Sequence, residues 1–105
     1  MPQNGIPVVL ARAISNGATP YHYNANTAGY QVKTGQGVVR SISINTAGAT
    51  ATLTLYDGTS TAGAVLGVWS VNTQYNATDL NIQFTTGLFM VAAGTTAPDA
   101  TILYN

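Results

Sequence analysis

The chain has 105 residues and no net charge at neutral pH, and only 6% of its residues are charged, against about 25% in ordinary soluble domains. Arg12, Lys33 and Arg40 balance Asp57, Asp79 and Asp99, which argues against a phosphate-neutralising surface for nucleic acid and against a polybasic membrane contact. With no cysteine there is no disulfide framework and no thiolate metal site. A hydrophobic fraction of 46% is enough for one modest core, so a single domain over 1–105 is expected. The opening Met1-Pro2-Gln3-Asn4 lacks the charged lead and apolar stretch of a secretory signal. No run nears the ~20 apolar residues that span a bilayer. Synthesis in a cytoplasm is the expectation.

Thr, Gly, Ala and Asn dominate, and period-two alternation recurs along the chain. The first expected strand is 6–14. The same segment also reads as a helical turn, with Pro7 at its first position and Gly17 as a C-terminal cap. Residues 1–28 are taken as an arm or interface segment, and 29–105 as the β core. Strands follow at 29–33 and 37–45. In the second, Val38, Arg40, Ile42 and Ile44 share one face, and Val39, Ser41, Ser43 and Asn45 the other. Thr46-Ala47-Gly48 leads to 50–56, where Ala51, Leu53 and Leu55 alternate with threonines. Asp57-Gly58 is a turn into 64–71. Leu80, Ile82 and Phe84 mark a strand at 79–85, and Thr86-Gly87 separates it from 87–93. A loop with Pro98 precedes 100–104. Eight short strands at this spacing predict an all-β, single-domain antiparallel sandwich, with a jelly roll as one form of it.

Little here can do acid–base chemistry. There are three Asp, no Glu and one His. Asp57 reads as a turn residue, Asp99 as a loop residue, and Asp79 as a cap at a strand start. Gly35-Gln36-Gly37 begins like a dinucleotide fingerprint, but the third glycine is missing and a strand follows where a helix is required. Asn76-Ala77-Thr78 matches a glycosylation acceptor. No catalytic, cofactor or metal residue is expected, and the chain reads as no enzyme. His22 lies in Tyr21-His22-Tyr23. Tyrosine joins a large apolar area to a polar tip, so Tyr21, His22, Tyr23, Tyr30 and Tyr75 are candidate interface anchors. Trp69, the only tryptophan, reads as core. Trp and Tyr also stack on sugars, so Trp69, Tyr75 and the Tyr21–Tyr23 cluster leave a lectin-like reading open.

The C-terminal half carries a resemblance. Leu53-Thr54-Leu55-Tyr56-Asp57-Gly58-Thr59-Ser60-Thr61-Ala62-Gly63 resembles a strand, turn and Thr/Gly-rich loop of small tailed-bacteriophage virion proteins. Thr85-Thr86-Gly87-Leu88-Phe89-Met90-Val91 and the ending Ala97-Pro98-Asp99-Ala100-Thr101-Ile102-Leu103-Tyr104 look like the closing strands of the same group. The similarity spans roughly residues 33–104. It implies a structural virion role of the head-decoration, or capsid-cement, type. Such proteins sit on the capsid surface, often as trimers, and clamp neighbouring major capsid subunits. The expected partners are therefore copies of itself, as a homotrimer, and the major capsid protein. No catalytic residues come with the resemblance. A carbohydrate-binding module and a tail- or fibre-associated virion protein are the rival readings.

Overall fold

The Thr-rich alternating segments form nine β-strands and no helix within residues 18–105, the part of the chain that the computed structural model describes. They are β1 (Thr19–Tyr23), β2 (Thr27–Thr34), β3 (Gly37–Thr46), β4 (Thr52–Asp57), β5 (Ala64–Ser70), β6 (Tyr75–Ala77), β7 (Ile82–Phe84), β8 (Gly87–Ala93) and β9 (Asp99–Tyr104). Every pairing between them is antiparallel. Sheet one runs β1-β9-β3-β6, with β7 also against β3; sheet two runs β2-β8-β4-β5.

The pairs are nested. β4 pairs with β5, β3 with β6 and β7, β2 with β8, and β1 with β9. The chain is one long hairpin rolled over on itself, and the contacts β9·β3 and β8·β4 close the roll. This is a jelly-roll sandwich, as the strand spacing predicts. The core lies between the sheets. Tyr23, Val39, Ile42, Ile44, Phe84, Ala100 and Ile102 come from sheet one, and Leu53, Leu55, Leu88, Met90 and Ala92 from sheet two; all are buried.

The segment 6–14, with its helical alternative, lies outside the described residues. Within the segment expected as an arm or interface over 1–28, β1 and the start of β2 pair as strands of the sandwich. Pro20 disguises β1 in the sequence. A proline is tolerated there because β1 is an edge strand, where one face of the backbone needs no partner. The strand expected at 79–85 shrinks to Ile82–Phe84, because Asp79 and Asn81 take left-handed φ angles of 57° and 50°. The short β6 lies ahead of them. β6 and β7 pair with different stretches of the same side of β3, so they are two halves of one interrupted strand.

The face assignment on β3 also changes. Tyr104 pairs with Val39 but Leu103 pairs with Ser41, so Arg40 is an extra residue bulged out of the ladder. Beyond a bulge the alternation shifts phase. Val39, rather than Val38, therefore joins Ile42 and Ile44 in the core, and Arg40 is expelled to solvent. Its guanidinium donates to Asn105 Oδ1 at 2.6 Å and to Asn81 Oδ1 at 2.8 Å, and its carbonyl accepts from Leu80 N–H at 3.0 Å. The left-handed turn at 79–81 thus wraps the bulge that interrupts the strand.

Candidate interaction surfaces

The two outward faces of the sandwich differ in chemistry. Across sheet one the register lines up His22, Thr101, Ser43 and Asn76, and beside them Pro20, Leu103 and Ser41. That face is mostly polar, the usual solvent side of an antiparallel sheet. Across sheet two the outward rows are Val91, Thr54 and Val68, then Gln31, Phe89, Tyr56 and Val65. Above them lies a third row of Ala93, Thr52 and Ser70. None of these residues is charged. Val65 and Val68 are 57% and 62% exposed. Phe89 and Tyr56 meet edge to face at 6.4 Å, and the Phe89 ring covers the backbone of Gly29. The outer face of sheet two is therefore uncharged, with valines and aromatics interleaved with Gln31, Thr52, Thr54 and Ser70, a pattern that suits a sheet covered on both sides.

Tyrosines close the open sides between the sheets. On one side Tyr21 of β1 stacks on Tyr30 of β2, with ring centroids 4.9 Å apart. On the other, Tyr75 of β6 donates its hydroxyl to the carbonyl of Ser70 at the end of β5, at 3.2 Å. The first pair leaves Tyr30 47% exposed and sits beside a concavity of about 230 Å³ lined by Tyr21, His22, Asn24, Asn26 and Tyr30 among others. Burial raises the Tyr21 phenol pKa, with Tyr30 adding to the rise.

Two carboxylates are tied down. Asp57, the last residue of β4, accepts from Thr85 N–H at 2.9 Å and Thr86 N–H at 2.8 Å, and from the Thr85 hydroxyl at 3.1 Å and Gly87 N–H at 3.3 Å. Those donors, the Thr85 amide first, hold its carboxyl below the ordinary range. Asp57 thus pins the β7–β8 turn rather than shaping its own. Asp99 Oδ1 lies 2.6 Å from His22 Nε2 and 3.4 Å from Asn45 Nδ2, and its pKa is lowered chiefly by the His22 hydrogen bond. This pair is exposed. Among the described residues no three of His, Cys, Asp and Glu gather to hold a metal ion.

The five anchors named from sequence are dispersed. Tyr21, His22 and Tyr30 meet at one edge. Tyr75 lies at the opposite edge. Tyr23 is only 5% exposed and is part of the core. Its hydroxyl is buried with no hydrogen-bond partner among the described residues. Trp69 faces inward from β5, half-buried against the core, with its ring over Gly67. Neither Trp69 nor Tyr75 forms an exposed platform. The sequence reading missed the outer face of sheet two. The signal was present: in Leu88-Phe89-Met90-Val91 and Val65-Leu66-Gly67-Val68 the residues between the core positions are themselves apolar.

No protein-family model matches the sequence, and no curated protein does. Similarity appears in the fold. The core of Drosophila NLP, whose structure was described for pentamer formation and histone binding, aligns with a TM-score of 0.52 at 9% identity. That alignment covers 83% of this chain and 96% of that one. A chain of Bacillus endospore appendages, described as disulfide-linked pili, aligns with a TM-score of 0.53 at 13% identity over 82% of this chain and 78% of that one. Identities this low establish a shared fold and nothing beyond it, and a fold of this kind serves many unrelated functions.

Proposed function

We propose that this chain is a non-catalytic structural subunit of a virion, a decoration protein that packs on the capsid surface of a tailed phage and clamps major capsid subunits. The observation that carries the reading is the outer face of sheet two: a charge-free surface with exposed Val65 and Val68 among aromatics and hydroxyls suits burial against a neighbour better than exposure to water. The resemblance of residues 33–104 to small virion proteins supplies the kind of assembly, and a homotrimer is the oligomer it favours. Each copy adds a modest neutral contact, and a symmetric lattice sums many such contacts. The corner of Tyr21, His22 and Tyr30 is the capsid-facing contact in this reading, since it is an exposed aromatic group at the edge between the two sheets, clear of the outer face of sheet two.

The test adds purified protein to capsids lacking it and measures occupancy by electron microscopy. The wild type should bind, and Tyr21→Ala with Tyr30→Ala should lower occupancy. Failure of the wild type to bind heads would overturn the capsid reading, and binding to tails would move the site to the tail. Full occupancy by the double variant would remove the corner from the contact.

One observation favours a second reading, a carbohydrate-binding module. The concavity beside Tyr30 joins an exposed aromatic ring to the amides of Asn24 and Asn26. Glycan-array binding that is lost in Tyr30→Ala would support it.

A further inference from the structure

We infer that the outer face of sheet two is covered by a second copy of this chain. The inference deepens the assembly reading, rests on its premise that this face is buried, and does not require a capsid.

The chemistry of the face selects the occupant. Its central residues Val91, Thr54, Val68, Phe89, Tyr56 and Val65 carry no charge, so an acidic or basic partner finds no complement on it. A copy of the same face meets no like-charge repulsion, and the whole chain carries no net charge to hold copies apart. Its polar groups are the hydroxyls of Thr52, Thr54, Tyr56 and Ser70, and the Gln31 amide, whose nitrogen is already bound to the carbonyls of Lys33, Gly58 and Leu88. A hydroxyl both donates and accepts, so it pairs with its own kind, whereas a carboxylate only accepts and an ammonium only donates. A β-branched and aromatic grid with alternating ridges can also pack against another protein layer at the ordinary sheet spacing of about 10 Å.

Size decides how strong this contact is. Four strands about 4.8 Å apart and five residues of about 3.3 Å each give a flat projection of roughly 300 Å². A standard stable interface buries about 800 Å² per partner. The contact is therefore weak between free molecules and becomes effective where copies are held close, as on a lattice. It also accounts for the lack of charged guards on β5, whose outward side chains Val65, Val68 and Ser70 are all uncharged.

The experiment is sedimentation equilibrium of the full chain over a wide concentration range, at low and high salt. The weight-average mass should rise from 10.8 kDa toward twice that value, because a face packed on its own copy closes as a two-fold pair, with no loss at high salt, because no ion pair is involved. Val68→Lys should weaken self-association at least about tenfold, since it would bury an unpaired charge. Val68→Thr keeps the shape and is the control for folding. A spin label on Thr52→Cys, the sole thiol in this cysteine-free chain, should show short distances between molecules at high concentration. A monomer at every concentration overturns the inference, and would point to another cover, such as residues 1–17 of the same chain. Unchanged association in Val68→Lys, or association abolished by salt, also overturns it and places the contact elsewhere. Mass is read on protein alone and capsid occupancy separately, so this inference and the capsid reading fail by different measurements.

Discussion

Replacing Tyr23 with phenylalanine should stabilise the protein. The Tyr23 ring fills the core between Ala100 and the inner face, but its hydroxyl is buried with no partner among the described residues. A buried hydroxyl without a hydrogen bond carries an uncompensated desolvation cost of about 1–3 kcal/mol. The ring itself, with its apolar contacts, is retained in the Tyr23→Phe variant. A gain of about 1 kcal/mol is expected, which for a domain of this size raises Tm by about 4–8 °C. Urea unfolding followed by Trp69 fluorescence, with a thermal melt beside it, measures the change. An independent readout comes from alkali. Burial, and then the nearby Tyr75, push the Tyr23 phenol up to about 12, against an ordinary value near 10. A folded pKa above the unfolded one stabilises fully below pH ~10 and is lost as pH rises through about 12. Phenylalanine does not titrate, so the variant should lose less stability across that window. A variant about 1 kcal/mol less stable than the wild type would refute the reasoning, because it would mean that the hydroxyl holds a hydrogen bond, through an ordered water for instance.

Asp57→Asn should lower Tm at neutral pH by loosening the 85–87 turn. The folded pKa of Asp57 is lowered, so its stabilisation is present above the carboxylate range and lost as pH falls through it; the variant should show a flatter acid limb in melts from pH 7 to 2. Leu53→Ala removes a fully buried side chain and should cost about 2–5 kcal/mol in urea unfolding. Gly67→Ala sets a methyl 2.6 Å from the Trp69 ring, so the ring must lift. A loss of about 1–3 kcal/mol and a red shift of tryptophan emission are expected, and an unshifted spectrum would contradict the placement of Trp69 over Gly67.

Several features of this protein are local and were legible in its residues. The alternation of Leu53 and Leu55 with threonines encodes a half-buried strand wherever it is placed, and nearly all the strands from residue 29 onward were found within a few residues of their ends. The shortage of charge is equally local, and it bounds the chemistry before any contact is known. Other features depend on partners remote in the chain. Pro20 reads as a breaker until β9 pairs with β1 and leaves β1 at an edge. Arg40 reads as a core-facing position until the mismatch with Leu103 and Tyr104 makes it a bulge and reverses the alternation. Asp57 reads as a turn residue until the roll brings Thr85, Thr86 and Gly87 to its carboxylate. The tyrosines read as one set of anchors until the sheets assign them to two edges and the core. The outer face of sheet two depends on partners most of all. A run such as Leu88-Phe89-Met90-Val91 states only that both sides are apolar. Which side meets the core and which is left bare depends on where the second sheet lies, and that is settled by long-range pairing between strands far apart in sequence.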